Sequence, residues 1–456
     1  MPSMILEEIQ KIEKRLDLNL EKFGRKKVSM GEPIKIYIID DEKQFHGLST
    51  QWRKLTEIAE APVYMTFEWI SSWWKHFGKH PKRSLYILAV YRGAEIVSIV
   101  PFFKGVSSIG PVNIQQRLNL MGSGVSKNEV LGFSDDYGYS DFLDVIVHPD
   151  YKKEVAEEVA DLLLLNPMGA DLISFQHISD ESFIATEILP LLDEKKGFYQ
   201  LEKTDECPYI PLPDSLNKYK NDLGSSSRRR RFKKNLKPIG KKYSVEKVVS
   251  WGTVQKGLEE LFELHQDRWN SLGYPGLFFD KRYYDFIKEL CQKAVDNEWL
   301  WFRIGKDQEG TCAVRLALNY KGRFYDWLTG FDMTSPVSDY SPGLGLLALM
   351  IKDAIESGAD RIELLRGDER YKFDFTKKTR SNWRLTIPSN KEGTVVQKLL
   401  NQGLKKVAKI YAQLNLERTL LKVQYEQVGP LRMIFSYANF RTQRLIEKLK
   451  ATKLFK

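Results

Sequence analysis

The sequence predicts an α/β (α+β) fold: two units of mixed, mainly antiparallel sheet flanked by helices, with a basic helical tail behind them. Three observations carry this. At 456 residues the chain exceeds one ordinary core, so two domains with appendages are expected. Short apolar runs with strand character alternate with segments of helical spacing, and they do so in the same order in both halves. Charge is segregated as well. Residues 391–456 hold 14 Lys and Arg against 4 Asp and Glu, a net +10 that equals the net charge of the whole chain, so the rest sums to about zero.

Taken in order, Met4 to Phe23 sets Ile5, Ile9, Ile12, Leu16 and Leu20 at helical spacing, and a polar linker follows to Glu32. A strand is expected at Ile34 to Ile39, a helix from Phe45 to Glu60, and another opening at Thr66 with Trp69, Trp73 and Trp74. Leu85 to Tyr91 and Ile96 to Phe103 flank Arg92-Gly93, which signals a β-hairpin. Strands at Phe142 to Val147 and Asp171 to Phe175 enclose a helix from Tyr151 to Asn166. The second half starts with a basic helix, Tyr219 to Leu236, then a strand at Tyr243 to Val249. Helices at Val254 to Leu272 and Arg282 to Asn297 come next. Three strands follow, Leu300 to Ile304, Cys312 to Tyr320 and Arg323 to Thr329, the last two joined by the tight turn Lys321-Gly322. A loop, the helix Leu344 to Ser357 capped by Gly358, and strands Arg361 to Leu365 and Trp383 to Ile387 complete it. The expected units are residues 1–33, 34–201, 202–390 and 391–456.

Composition excludes several classes. Hydrophobic residues at 42% with 12% aromatics are too many for a disordered chain. No apolar run approaches the roughly 20 residues of a membrane-spanning helix; Leu344 to Ile351 is cut short by Lys352 and Asp353. Met1 to Gly24 lacks the apolar segment of a secretion signal. Cys207, Cys291 and Cys312 are odd in number and far apart, which suits a reducing cytoplasm and gives neither a disulfide framework nor a zinc site. The six histidines form no ligand cluster, so no metal is expected. The tail sets Val395, Leu399, Leu404, Val407 and Tyr411 among lysines, a basic amphipathic pattern compatible with adsorption to an anionic membrane or with packing on the body. Arg228 to Arg231 could meet phosphates or acidic glycans, or form a solvated helix start. A near-neutral body does not call for nucleic acid.

The strongest chemical signal is the strand that runs into Ser341-Pro342-Gly343-Leu344-Gly345 and on into a helix. Glycines there let a ligand approach the backbone, and free N–H groups at a helix start favour an anion such as a pyrophosphate. The same residues also suit an ordinary proline-initiated helix. Downstream, Arg366-Gly367-Asp368-Glu369-Arg370-Tyr371-Lys372 follows a strand directly, where active-site residues of such sheets emerge.

At these residues the chain resembles the GNAT acyltransferases, and among them the cellulose-biosynthesis-type acetyltransferases, related to the Fem-type peptidoglycan aminoacyl transferases. The matching segments are Phe67 to Trp69, Ile99 to Phe102, Asp205 to Ile210, Arg228 to Arg231, His265 to Trp269, Thr329 to Asp332, Ser341 to Gly343, and Arg366 to Lys372. They span roughly Lys35 to Ile387. The resemblance implies two GNAT-like domains and direct acyl transfer from an acyl-CoA or other thioester, acetyl-CoA foremost. The acceptor would be an amine or hydroxyl of a sugar, lipid-linked sugar or polysaccharide precursor in the cytoplasm. It implies donor binding by Ser341, Gly343, Leu344 and Gly345. The usual donor loop opens on Arg or Gln, whereas Tyr340 stands here, which leaves carrier-protein and aminoacyl-tRNA donors open. A Fem-type aminoacyl transferase and an inactive scaffold for exopolysaccharide assembly are the rival readings.

Acyl transfer needs a base and stabilisation of developing charge. Asp368 is the expected base or substrate anchor, Tyr371 the donor of a proton to a leaving thiolate, and Lys372 a holder of a carbonyl or phosphate. Arg366 and Glu369 are expected to bind substrate. On a helix, His265, Arg268 and Trp269 share a face at i, i+3 and i+4, with His265 a further catalytic candidate and the other two substrate contacts. Asp326, pointing opposite Tyr325 and Trp327 on its strand, is an alternative base.

Overall fold

A computed structural model describes residues 33–109, 112–124, 140–271 and 277–389. The expected helix at Met4 to Phe23 and the basic tail lie outside the described residues.

Apolar alternation across the Arg92-Gly93 turn makes β2 (Arg83–Arg92) and β3 (Glu95–Ile109) antiparallel neighbours, with β1 (Ile34–Ile39) paired on the outer side. Three helices cross between β1 and β2: α1 (Glu42–Gly47), α2 (Ser49–Ile58) and α3 (Phe67–Trp73). The helix expected at 45–60 is therefore two, divided at Leu48. After β3 come β4 (Val112–Leu120), β5 (Ile146–Val147), α4 (Lys152–Leu165) and β6 (Leu172–Ser179), with β6 parallel to β4. Then α5 (Leu189–Glu194) leads to β7 (Gln200–Pro211).

The second half repeats the plan. The expected basic helix is divided by Gly224, at φ 65°, into α6 (Leu216–Asp222) and α7 (Ser226–Leu236). Next come β8 (Ser244–Lys247), α8 (Trp251–Ser271), α9 (Lys281–Asp296) and the antiparallel β9 (Leu300–Lys306), β10 (Thr311–Tyr320) and β11 (Arg323–Phe331). Finally α10 (Pro342–Glu356) crosses to β12 (Arg361–Glu363), parallel to β11, and β13 (Lys378–Pro388) ends the described chain.

Instead of two sheets there is one of 13 strands, in the order β1-β2-β3-β4-β6-β13-β7-β12-β11-β10-β9-β8, with β5 beside β3. The halves exchange strands. β13 returns to pair with β6 of the first half, while β7 pairs with β12 of the second. A boundary drawn between 201 and 202 thus falls inside β7. The exchange is close to twofold symmetric: Pro388 pairs with Leu172 as Pro211 pairs with Arg361, and Asn382 pairs with Asp205 near the axis.

The halves also share a core. Trp69 of α3 meets Phe286 of α9 edge-on at 5.5 Å and Trp327 of β11 at 5.0 Å, and Tyr64 meets Tyr325 at 5.5 Å. Each such buried aromatic contributes on the order of 2–3 kcal/mol by removing apolar surface from water. Relative motion of the halves would expose these rings, so their burial opposes it.

Candidate active site

The β10–β11 hairpin turns at Lys321 (φ 52°) and Gly322 (φ 73°), the pair of positive φ angles that matches the twist of its strands. Its register then slips. Leu316 opposes Leu328 and Ala317 opposes Asp326, so Trp327 is bulged out. Asp326 and Thr329 are three residues apart and would otherwise point to opposite faces; the bulge sets both on the face of Arg315. Both partners of this ion pair are buried. Arg315 Nη1 lies 2.6 and 2.5 Å from the Asp326 oxygens, and Nη2 donates to the Gly343 carbonyl at 3.1 Å. The pair ties the hairpin to the first turn of α10.

That first turn follows from its sequence. Ser341 takes the left-handed conformation at φ 53° and makes no side-chain cap, Pro342 has no N–H, and the amides of Leu344 and Gly345 both donate to the Ser341 carbonyl. The Gly343 N–H is left without an acceptor among the described residues. Beside it opens a cavity of about 470 Å³, walled by Arg268, Arg315, Thr329, Phe331, Asp332, Met333, Ser338, Asp339, Ser341 to Leu344, and Tyr371. Arg268 lies over the Phe331 ring at 4.6 Å. Burial, with the Asp326 carboxylate adding to it, pushes the Tyr371 phenol up to about 12, so it keeps its proton at neutral pH.

Of the residues singled out in sequence, Tyr371, Ser341, Gly343, Leu344 and Arg268 meet at this cavity, and Asp326 stands behind its wall through Arg315. Gly345 faces elsewhere. A Cβ there would lie 2.0 Å from the Tyr243 hydroxyl and 3.1 Å from the Asn235 carbonyl, so this glycine is dictated by helix packing and not by a ligand. Gly345→Ala should therefore destabilise the fold by up to about 2 kcal/mol in chemical denaturation, since overpacking costs about 1–3 kcal/mol and the gain in helix propensity returns about 1. A stability at or above wild type would show that Tyr243 yields freely.

His265 is buried and outside the cavity wall. Its Nε2 accepts from Trp269 Nε1 at 3.0 Å, and burial, reinforced by Arg268, lowers its pKa to about 4, so it is neutral. Trp269 is partly exposed but outside the wall too. Lys372 was expected to meet a substrate carbonyl or phosphate; it points back into its own loop. Its ammonium donates to the carbonyls of Leu365, Arg366 and Gly367 at 3.3, 2.6 and 3.2 Å and pairs with Glu369 at 2.8 Å. Arg366 likewise turns from the cavity, to Asp141 at 2.6 Å and His177 at 3.2 Å. Asp368 and Glu369 are exposed on the outer turn. Arg315 and Met333 line the cavity without having been singled out by sequence reasoning. For Arg315 a signal existed: a lone charge inside the apolar run Cys312 to Leu318 needs a buried partner.

Among the described residues no helix is long and apolar enough to cross a membrane. Comparison with curated proteins gives no match. Among solved structures the fold is similar to FemX, with a TM-score of 0.53 at 10% identity over 80% of this chain and 100% of that one. A second similar structure is L-PGS from Bacillus licheniformis, with a TM-score of 0.44 at 13% identity over 82% of this chain and 98% of that one. Residues 226–373, which contain the cavity, match the family model of an acetyltransferase (GNAT) domain. The α10 turn and its cavity thus lie in a segment similar to an acetyltransferase (GNAT) domain.

Proposed function

We propose that the cavity takes an acyl-CoA and that the acyl group passes by direct attack to an amine or hydroxyl of a sugar, lipid-linked sugar or polysaccharide precursor, as in cellulose-biosynthesis-type acetyltransferases. The observation that carries this reading is the meeting of an uncapped helix start with a protonated phenol in one cavity. The Ser341 hydroxyl and Gly343 N–H stand at the positive end of a 15-residue helix without capping bonds, which suits the donor's pyrophosphate. The donor supplies an acyl carbon activated as a thioester. The acceptor's nitrogen or oxygen bonds to that carbon, the carbon–sulfur bond breaks, and the Tyr371 phenol gives its proton to the departing sulfur. The acceptor's own proton leaves to solvent or a carboxylate. Asp368, exposed three residues before Tyr371, anchors the acceptor from outside the wall, and Lys372 holds the loop in shape.

Titration calorimetry with acetyl-, longer acyl- and free coenzyme A tests the donor. Saturable binding is expected, and Ser341→Asp should weaken it at least 10-fold by setting a carboxylate against the phosphates, since Asp tolerates the left-handed backbone there. A wild-type protein that binds none of the three would overturn the coenzyme A assignment. A Fem-type aminoacyl transferase acting on a peptidoglycan precursor is the second reading, favoured by Tyr340 in the donor loop and by the fold likeness to FemX. For Asp368→Asn the expectation is an acceptor KM raised about 5–10-fold with turnover within about 3-fold, the pattern of lost ground-state binding. A turnover lowered by about 10²-fold or more would make Asp368 the general base instead.

A further inference from the structure

The strand exchange creates a buried polar cluster that neither half could form alone. His177 and Arg366 each lie five positions beyond equivalent starting points, Leu172 and Arg361, so the near-twofold axis relates one to the other. They meet there, with Arg366 Nη1 3.2 and 3.3 Å from the His177 ring nitrogens. Asp141 completes the contact: its Oδ1 accepts from Arg366 Nε at 2.6 Å and from Asn382 Nδ2 at 3.2 Å. Asp205 Oδ2 stands 3.8 Å from His177 Nδ1. Burial, then the nearby guanidinium, holds His177 below its ordinary pKa and so neutral.

The backbone around this cluster is constrained. Phe142 (φ 53°), His177 (φ 53°) and Leu365 (φ 59°) are non-glycine residues in the left-handed region, and Gly367 sits at φ 105°. Such conformations cost on the order of 1–3 kcal/mol each and persist only where the surroundings enforce them. The segment after Leu365 is held at three points: by Asp141 through the Arg366 side chain, by Glu206 of β7 through the Gly367 amide at 3.0 Å, and by Lys372 from within. Its far end is Tyr371.

We infer that Asp141 and His177, both of the first half, are positioning residues that act through Arg366 to hold Tyr371 at the cavity of the second half. The inference rests on the reading of Tyr371 as the acid, and it gives the first half a part in the chemistry without touching the donor. Arg366 is clamped at its side chain by the first half and at its carbonyl by Lys372, so releasing the side chain leaves the loop held only by Lys372 and the Gly367 amide.

Hydrogen exchange read by mass spectrometry tests the clamp without any substrate. In Asp141→Asn and in His177→Asn, amides of 365–372 should exchange at least 10-fold faster while β10 and β11 keep their protection. His177→Asn keeps the test decisive if the first variant does not fold, because Asn adopts left-handed backbone readily. A mutant cycle then tests the link to Tyr371. Each variant should lower donor turnover about 10–50-fold in the wild-type background but less than 2-fold in Tyr371→Phe. Unchanged exchange in 365–372, or equal losses in both backgrounds, would overturn the inference. Failure of the wild type to bind any coenzyme A donor would instead strike the functional reading, and the exchange experiment would still decide the clamp.

Discussion

Arg315→Met should lower the free energy of unfolding by about 3–5 kcal/mol, because it strands the Asp326 carboxylate in the interior with no cation beside it. An exposed pair of the same geometry would matter by at most about 1 kcal/mol. Both Asp326 oxygens lie against Arg315 Nη1, and the Gly343 carbonyl loses its donor as well. Asp326→Asn should be costly for the converse reason, leaving the guanidinium uncompensated. The double variant Arg315→Met/Asp326→Leu should recover most of the loss, since well-packed apolar replacements of a buried pair are often neutral or better. Urea denaturation of Arg315→Met, of Asp326→Leu and of the double closes the cycle. Single losses below about 1 kcal/mol would mean that water reaches the pair and that the cavity floor is wetter than the structure implies. The double variant should remain folded yet bind donor poorly, because Arg315 is also what fixes the Gly343 peptide.

Much of the fold was legible because its signals are local. The turns at Arg92-Gly93 and Lys321-Gly322 and the alternating runs beside them need only neighbours in sequence. β4 and β7 were not legible. β4 carries Gln115, Gln116, Arg117 and Asn119 within nine residues, and β7 opens with Glu202, Lys203, Asp205 and Glu206 and contains Pro208. Charged runs and an internal proline argue against a central strand. What makes β7 a strand comes from afar: β13 on one side and β12 on the other, with Arg384 near Glu202 and His177 near Asp205. Strand exchange between halves leaves no mark in a window of ten residues.

The site shows the same division. The Ser341-Pro342-Gly343 turn and Tyr371 announce themselves by type and position. Direction does not. In the run from Arg366 to Lys372 the sequence shows five charged side chains but not that Leu365 and Gly367 bend the backbone so that Arg366 and Lys372 face inward. Asp326 was visible as a candidate base, whereas Arg315, a lone charge in an apolar strand, was not singled out. Their union depends on the bulge at Trp327, which changes the parity of the strand and cannot be read from residue types.

Tyr371→Phe should reduce turnover by about 10²–10⁴-fold with little change in donor affinity, the range seen when a positioned proton donor is removed. The substitution keeps the ring that walls the cavity and removes only the hydroxyl, so a structural loss is not expected. Its pH signature separates it from alternatives. With the phenol pushed up to about 12 by burial and by Asp326, the acid form persists across the physiological range, and turnover should not decline between pH 8 and 10 through loss of this proton. A phenol at its ordinary value near 10 would already begin to fail there. If burial sets that value, the Arg315→Met/Asp326→Leu double variant should change the titration little, since it removes both the carboxylate that raises it and the guanidinium that lowers it, and burial is the first cause. Donor affinity by calorimetry and turnover by thiol release, measured on the same preparations, give the two quantities needed. Tyr371→Phe with turnover within 3-fold of wild type would remove the phenol from the chemistry. A loss of affinity in step with turnover would make Tyr371 a wall of the donor site and not its acid.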